Sequence, residues 1–401
     1  MKGAGMVRRT GMAAVALVVL AGAVPASAVP AFERRYGVAC SFCHDGYPKL
    51  NLRGQRFKER GFRMEREDPF VLKQWARAVP LTARLMVNRF LFPGDDETSV
   101  FLKPLSAGHL GQRLSYWVDE GVIWSDRNDD FTHTRVDNGW ARLEVVRGGR
   151  LYARAGRIEL DLPFTQARTP HLFPYEVYFV NPGFESDAIG DYQDGLEVGG
   201  ELPGDARWSA AVVAGRDPHG SEELDEDTDK FDGNLFLRAS KRLSVHRVGA
   251  FAYIARNTLA RSPAIVWTDN YVRLGADASV WVRRLNLYGV ILYGRNDDPV
   301  ATAERPRGTG QSESFNGGFL QGDYHWGEWL VVSLRLDAVS RAPALSSRLP
   351  PAAVPPPRQT FTGVFPGLQL FPRERLKLSF EYGWLNRARS DVAALRAEVA
   401  F

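Results

Sequence analysis

The chain has 401 residues, with 51 Lys plus Arg against 47 Asp plus Glu and a formal charge of +4. At 44% apolar and 24% charged it is too apolar for disorder. So small a charge, with no basic stripe, excludes a nucleic-acid binder. Two cysteines exclude a disulfide scaffold. A length near 400 fits either two or three soluble domains or one large barrel.

The chain opens with Lys2, Arg8 and Arg9, then an apolar run from Met12 to Ala21. That run is too short to span a bilayer as a stop-transfer helix. Ala26-Ser27-Ala28 follows as a small-x-small cleavage pattern. Residues 1–28 read as a cleaved export signal, with the mature chain starting at Val29; an uncleaved anchor fits the cleavage pattern less well. Beyond it no apolar run reaches the roughly 18 residues of a membrane helix. The mature chain is therefore soluble and exported, or it is inserted in a membrane by something other than helices.

Both cysteines lie in Cys40-Ser41-Phe42-Cys43-His44. C-x-x-C-H reads as an attachment site for one covalent haem c. Two intervening residues bring the sulfurs to adjacent edges of the porphyrin, where each can add to a vinyl group. The next residue then lies under the iron, so His44 is the proximal axial ligand. Export agrees, since such attachment happens outside the cytoplasmic membrane. Two other readings are a disulfide beside an incidental His, and half of a zinc site. A zinc cage needs a second ligand pair, and His109, His133, His171, His219, His246 and His325 are scattered.

The flanks suit a small helical segment. Phe32 and Tyr36, four apart, share a helical face. Asn51 suits the N-cap of a helix from Leu52 to about Arg60, with Phe57 inward and Gly61 as its stop. Arg53, Arg56, Lys58, Arg60 and Arg63 could meet haem propionates or form a solvated face. The sixth iron ligand stays open: Met64 is the nearest candidate, with Met86 and His109 as alternatives from the following domain.

From residue 79 the period changes to two. Val331, Ser333, Arg335 and Asp337 alternate with Leu330, Val332, Leu334, Leu336 and Ala338; Tyr271, Arg273, Gly275, Asp277 and Ser279 alternate with Val272, Leu274, Ala276, Ala278 and Val280. Tight turns such as Arg147-Gly148-Gly149-Arg150 and Trp326-Gly327-Glu328 alternate with long polar stretches near 124–139, 160–193, 215–233, 255–270, 294–314 and 340–359. This rhythm is that of outer-membrane barrels. The segments are 79–91, 98–105, 109–123, 139–147, 150–160, 193–202, 206–215, 233–243, 246–256, 270–283, 285–294, 314–325, 329–340, 359–371, 375–386 and 391–401, sixteen in all. Pro104 makes 98–105 the weakest. Trp124, Trp140, Trp267, Trp326, Trp329 and Trp384 sit at strand ends, as a membrane girdle would. Phe401 closes an amphipathic last segment. A soluble β-sandwich or β-helix explains neither the rhythm nor the girdle.

The fold class is thus all-β: a transmembrane antiparallel barrel of about 16 strands, with a small α-helical N-terminal monohaem cytochrome c segment. The divisions are 1–28, 29–78 and 79–401. About fifty residues bury little core alone, so 29–78 belongs in the barrel mouth or lumen. The location is the bacterial outer membrane, with its lipid around the wall.

Phe32-x3-Tyr36-Gly37-Val38-x-Cys40-x-x-Cys43-His44, with Tyr47-Pro48-Lys49-Leu50-Asn51 and Gly54-x-x-Phe57-Lys58-x-x-Gly61-Phe62, resembles the fused monohaem cytochrome–porins of iron-oxidising and other respiring bacteria. Gly156-Arg157-Ile158-Glu159-x-Asp161-Leu162-Pro163 and Arg273-Leu274-Gly275-Ala276-Asp277-Ala278 are similar to that family's barrel segments. The resemblance implies a haem domain at the periplasmic mouth and electron transfer between the cell surface and the periplasm. Carried over, Cys40 and Cys43 attach the haem and His44 is its proximal ligand. The implied partners are periplasmic electron-carrier cytochromes and an extracellular metal, Fe(II) among them, or another redox partner. Any oxidoreductase activity would be of this kind; no hydrolase motif or phosphate loop is present.

Two loops bear on this. Asp217–Asp232 is acidic enough to attract a cation, or is simply solvated. Leu160–Gln193, with His171, Phe173, Tyr175, Tyr178 and Phe179, is more apolar than a free loop, and suits either a lumen constriction or a packed surface loop. Ala342–Pro357 reads as a proline-rich outer loop. A diffusion porin with a haem-bearing plug or redox gate is the alternative function. A haem enzyme such as a peroxidase is a third, and needs an open sixth position.

Overall fold

The computed structural model describes residues 31–36, 38–46, 48–64, 81–92, 96–125, 130–165, 171–180, 189–190, 192–214, 233–262, 265–299, 308, 310, 312–341, 359–373, 375–386 and 391–400. The export signal 1–28, the division at residues 78 and 79, the acidic stretch 217–232, the proline-rich stretch 342–357 and Phe401 lie outside them.

Two short helices come first, α1 (Ala31–Tyr36) and α2 (Leu52–Glu59). The strands follow: β1 (Leu81–Leu91), β2 (Glu97–Leu110), β3 (Leu114–Ser125), β4 (Asp130–Val146), β5 (Leu151–Glu159), β6 (Tyr192–Leu202), β7 (Ala206–Val213) and β8 (Asn234–Leu243). The second half holds β9 (His246–Ser262), β10 (Ile265–Val282), β11 (Leu285–Asn296), β12 (Glu313–Trp326), β13 (Leu330–Arg341), β14 (Gln359–Arg373), β15 (Leu376–Leu385) and β16 (Val392–Ala400). Each strand pairs antiparallel with its neighbours in the chain, and β1 pairs with β16 to close the barrel.

The wall is inside out relative to a soluble core. Arg335 is 0% exposed on the lumen side of β13, whereas Ile291 on the outer side of β11 is 70% exposed. Asn88, Arg273, Asp323 and Asp337 are buried inside, while Ile254, Leu274, Leu320 and Leu334 are exposed outside. An outward apolar band with a polar interior is what a bilayer selects in a barrel. Trp326, Trp329 and Trp384 are exposed at strand ends, in girdle positions. Trp140 and Trp267 are not: both are buried, and the Trp267 indole donates to the Asp298 carbonyl at 3.1 Å.

Three boundaries differ from the alternation pattern. The turn between β2 and β3 falls at Gly111, whose φ of +67° reverses the chain, so β2 runs through Pro104 to Leu110. Pro104 is tolerated because it pairs only with Ala83 on β1; the ladder to β3 skips it and Lys103. The stretches 124–139 and 255–270, expected as long loops, are largely strand. β4, β9 and β10 span 17, 17 and 18 residues, well beyond the roughly 9–11 that cross a bilayer. Ladders extending past the membrane can be polar on both faces, which erases the alternation. Elsewhere the strand bounds follow the pattern to within a few residues.

The outer face gives a direct test. Ile291 lies near the middle of β11, and Leu287 near its tight-turn end. Ile291→Arg is expected to cost about 2–4 kcal/mol and Leu287→Arg about 0–1 kcal/mol, by analogy with depth-dependent barrel costs. Reversible urea unfolding in lipid vesicles measures both.

Candidate functional site

The segment holding Cys40, Cys43 and His44 lies inside the barrel, at the end bearing the tight turns. Cys40–Phe42 form one 3-10 turn, and the His44 amide donates to the Cys40 carbonyl at 3.0 Å. The chain then doubles back, pairing His44 with Leu50. Asn51 fixes this loop to α2. Its side-chain oxygen accepts from the Gly54 amide at 3.0 Å, capping the helix, and its amide nitrogen donates to the carbonyls of Ser41 and Phe42. Helix and motif touch at Gly54, where a Cβ would lie 2.1 Å from the Cys43 carbonyl oxygen. Any larger residue there would push α2 off the motif.

The helix ends in a Schellman pattern: Phe62 donates to the Phe57 carbonyl and Gly61 to that of Lys58, with Gly61 at φ +64°. This drives Phe62 into the wall, stacked on Trp140 at 5.9 Å and against Phe32 at 5.2 Å. Phe32 and Tyr36 both meet Phe57, so the shared face read from their spacing is the packed one.

Ion pairs hold the segment to the barrel. The Lys49 ammonium lies 2.7 Å from Asp323, whose side chain is 0% exposed, and 4.3 Å from the Tyr288 ring. Glu59 is paired by Arg207 at 3.2 Å and by Arg242. The Glu59 backbone carbonyl accepts from Arg142. Arg63 reaches Glu144 at 3.3 Å and the Leu114 carbonyl at 3.0 Å, and Arg56 lies 3.7 Å from Asp205. Arg56 and Arg63 of the basic cluster at 53–63 are therefore spent on the barrel mouth, where the wall's own Arg142, Arg207 and Arg242 meet Glu59.

A cavity of about 990 Å³ opens on the motif. Cys40, Cys43 and His44 line it, together with apolar Phe32, Val38, Leu50 and Phe57. Its lining carries charge of both signs, with Arg154, Arg207, Arg238 and Arg242 from β5, β7 and β8 beside Glu159, Asp161 and Glu197. Cys40 and Cys43 are not joined in a disulfide. Burial raises the Cys43 thiol pKa, partly offset by Arg53. His44 Nδ1 donates to the Pro48 carbonyl at 3.2 Å, which leaves the lone pair on Nε2. Enclosure in the lumen lowers its pKa to about 4; hydrogen bonds to the Pro48 and Lys49 backbone oppose the shift, and the charges of Arg84 and Lys377 add to it. The ring is therefore neutral at neutral pH. Among the described residues no group of three or more His, Cys, Asp or Glu side chains is placed to hold a metal ion.

The three candidates for a sixth ligand separate. Met86 is buried and lines the cavity. Met64 packs against the apolar core, and His109 donates from Nδ1 to the Phe62 carbonyl and accepts from Arg35 on Nε2. Neither is among the lining residues. The described part of the 160–193 stretch folds into the lumen. Arg335 donates to the carbonyls of Phe173 and Pro174, Tyr175 donates to Gln321 at 3.0 Å, and Phe164 and His171 reach the cavity.

No family model matches the chain, and no curated protein matches it. Solved structures do. OmpF of Salmonella typhi, in complex with daunomycin, is 11% identical with a TM-score of 0.56, over 80% of this chain and 97% of that one. An anion-selective porin from Comamonas acidovorans is 12% identical with a TM-score of 0.55, over 80% and 99%. OprB of Pseudomonas putida is 10% identical with a TM-score of 0.53, over 82% and 96%.

The Lys49–Asp323 pair yields a prediction. Lys49→Met leaves a buried carboxylate without its cation, at a cost of about 3–5 kcal/mol. Protease cleavage within residues 31–64 should accelerate at least tenfold, and Lys49→Met with Asp323→Leu should recover part of the protection. The closed sixteen-stranded wall, its apolar outer face and these neighbours make the chain a bacterial outer-membrane β-barrel of porin fold.

Proposed function

We propose that this barrel is an outer-membrane cytochrome–porin, which carries electrons between an extracellular donor or acceptor and periplasmic cytochromes. The observation that carries the reading is the C-x-x-C-H motif opening onto a large cavity within the lumen of a closed barrel. The residues present fit a c-type haem. Cys40 and Cys43 are thiols facing that space, His44 has its Nδ1 hydrogen fixed on a backbone carbonyl, and the cavity volume falls within the roughly 300–1,000 Å³ of cofactor pockets. Arg154, Arg207, Arg238 and Arg242 line the cavity but are already held by Glu197, Glu59 and Asp277, so propionate carboxylates would have to share those arginines. When bound, the group supplies reversible one-electron exchange.

The chain's own residues do the rest. Cys40 and Cys43 would hold the group through their sulfurs, and His44, with Nδ1 engaged by Pro48, would have Nε2 available to it. Phe57 and Phe62 exclude water on one side, and Lys49 and Glu59 hold the segment in the mouth. The external partner is a metal ion such as Fe(II) or another redox species at the cell surface.

A diffusion porin with a redox-sensitive plug is the second reading, favoured by the porin fold and the charged lumen. Against it, the N-terminal segment and the inward loop share one apolar cluster with the wall: Phe57, Phe62, Phe164, Tyr175 and Phe319 all belong to it. Proteoliposomes test both. With cytochrome c trapped inside and an impermeant reductant outside, the wild-type protein should reduce the trapped carrier. Cys40→Ser with Cys43→Ser should lose the haem mass and fall to the rate of empty vesicles. Sugar flux through haem-loaded protein without electron exchange would favour the porin reading.

A further inference from the structure

We infer that the tight-turn rim of the barrel is a docking ring for the acidic face of a soluble one-electron carrier protein. The inference rests on the cytochrome reading and gives its periplasmic partner a surface chemistry.

Three observations carry it. First, among the described residues, the exposed charged side chains in or next to the tight turns are mostly basic. Arg113, Arg147, Arg150, Arg283, Arg284 and Arg373 stand there against Asp205 and Glu328. Second, none of the six is in an ion pair among the described residues. Arg147 donates to the neutral Gln112, and Asp205 already lies 3.7 Å from Arg56. At the long-loop end the arginines are answered: Arg89 by Asp96 at 2.8 Å and Arg295 by Asp297 at 3.3 Å. Third, the basic surface continues inward onto the motif. Arg53, in the first turn of α2, is exposed, and its guanidinium carbon lies 4.9 Å from the ring of Phe42, between the two cysteines.

The six arginines come from the turns joining β2 to β3, β4 to β5, β10 to β11 and β14 to β15, so the charge encircles the mouth. Such a ring focuses its field on the opening and draws an oppositely charged partner over it. Short turns face the periplasm in bacterial outer-membrane barrels, so the partner is a periplasmic protein with an acidic face. Anionic headgroups outside the wall cannot reach Arg53 within the mouth, which favours a protein over lipid. The site at the motif loses one electron and the carrier's ferric iron gains it; no bond is made and no proton moves.

The test uses the full-length haem-loaded protein in phosphatidylcholine nanodiscs, reduced beforehand and mixed with ferric mitochondrial cytochrome c. The probe is either native, with its lysine-rich face, or succinylated, with that face made acidic. At about 10 mM ionic strength the succinylated form should be reduced at least about tenfold faster than the native one, and the gap should close by about 0.5 M. Arg150→Glu with Arg284→Glu and Arg373→Glu should slow the succinylated form and quicken the native one, with the haem spectrum unchanged. Arg53→Glu should slow the succinylated form too, and Arg295→Glu at the other rim should change neither rate. A native probe that reacts as fast as the succinylated one, or rates indifferent to salt, overturns the docking ring and leaves the cytochrome reading intact. Ring variants that keep both rates and only lose phosphatidylglycerol retained in native mass spectra also overturn it, since the ring would then be a lipid contact. A mature chain with the mass of bare protein overturns both.

Discussion

Everything in this molecule follows from the requirement that no backbone amide be left unpaired in lipid. An open sheet of fifteen ladders would leave β1 and β16 with bare edges. The pairing of Arg84 through Leu91 with Ala393 through Ala400 removes both edges at once. Closure then creates an interior, and the period-two alternation makes that interior polar. Buried charge follows, and with it the need for partners. Arg238 on Asp277, Arg154 on Glu197 and Arg335 on Asp337 are ion pairs forced by the geometry of the wall. Such pairs are weak evidence of stability, but they set which surfaces the lumen offers to anything inside it.

The N-terminal segment uses that surface as the core it lacks. Residues 31–64 hold two short helices, and chains below about 40 residues seldom bury enough apolar area to fold unaided. Phe62 illustrates the solution. Its left-handed backbone, at φ +62°, is an unfavourable conformation for a bulky residue. The turn is kept because Phe62 ends between Trp117 and Trp140 of the wall, with its carbonyl held by Tyr36 and His109. The polar contacts of Lys49 and Glu59 then fix where in the mouth the segment sits. Apolar packing holds it there, and charge sets its orientation.

Much of the wall was legible in the sequence, because alternation is imposed residue by residue: Ser333, Arg335 and Asp337 inward, Leu334 and Leu336 outward. The cap at Asn51 and the stop at Gly61 were legible for the same reason, each being a local conformational demand. What escaped was non-local. Nothing in the sequence near Trp140 or Trp267 shows that these rings turn inward, since strand ends on either face look alike. The length of β4, β9 and β10 escaped because strands beyond the bilayer carry no apolar code. Spacing made Met64 the nearest sixth-ligand candidate, whereas of the two methionines it is Met86 that lines the cavity; chain distance does not show which residues a wall brings to a segment it encloses. His44, Cys40 and Cys43 stood out through one dense motif, while the residues surrounding them come from strands up to the far end of the chain.

The joint between β1 and β16 connects the first strand to the last, so it has the largest sequence separation of any ladder and carries the heaviest loop-closure entropy. The same joint is stitched on its inner side by Arg84 with Glu398 and by Arg396 with Asn88. Arg84 and His44 line one and the same cavity. Closing that ladder therefore also encloses the N-terminal segment: a segment delivered early is built around, and one delivered late meets a finished wall.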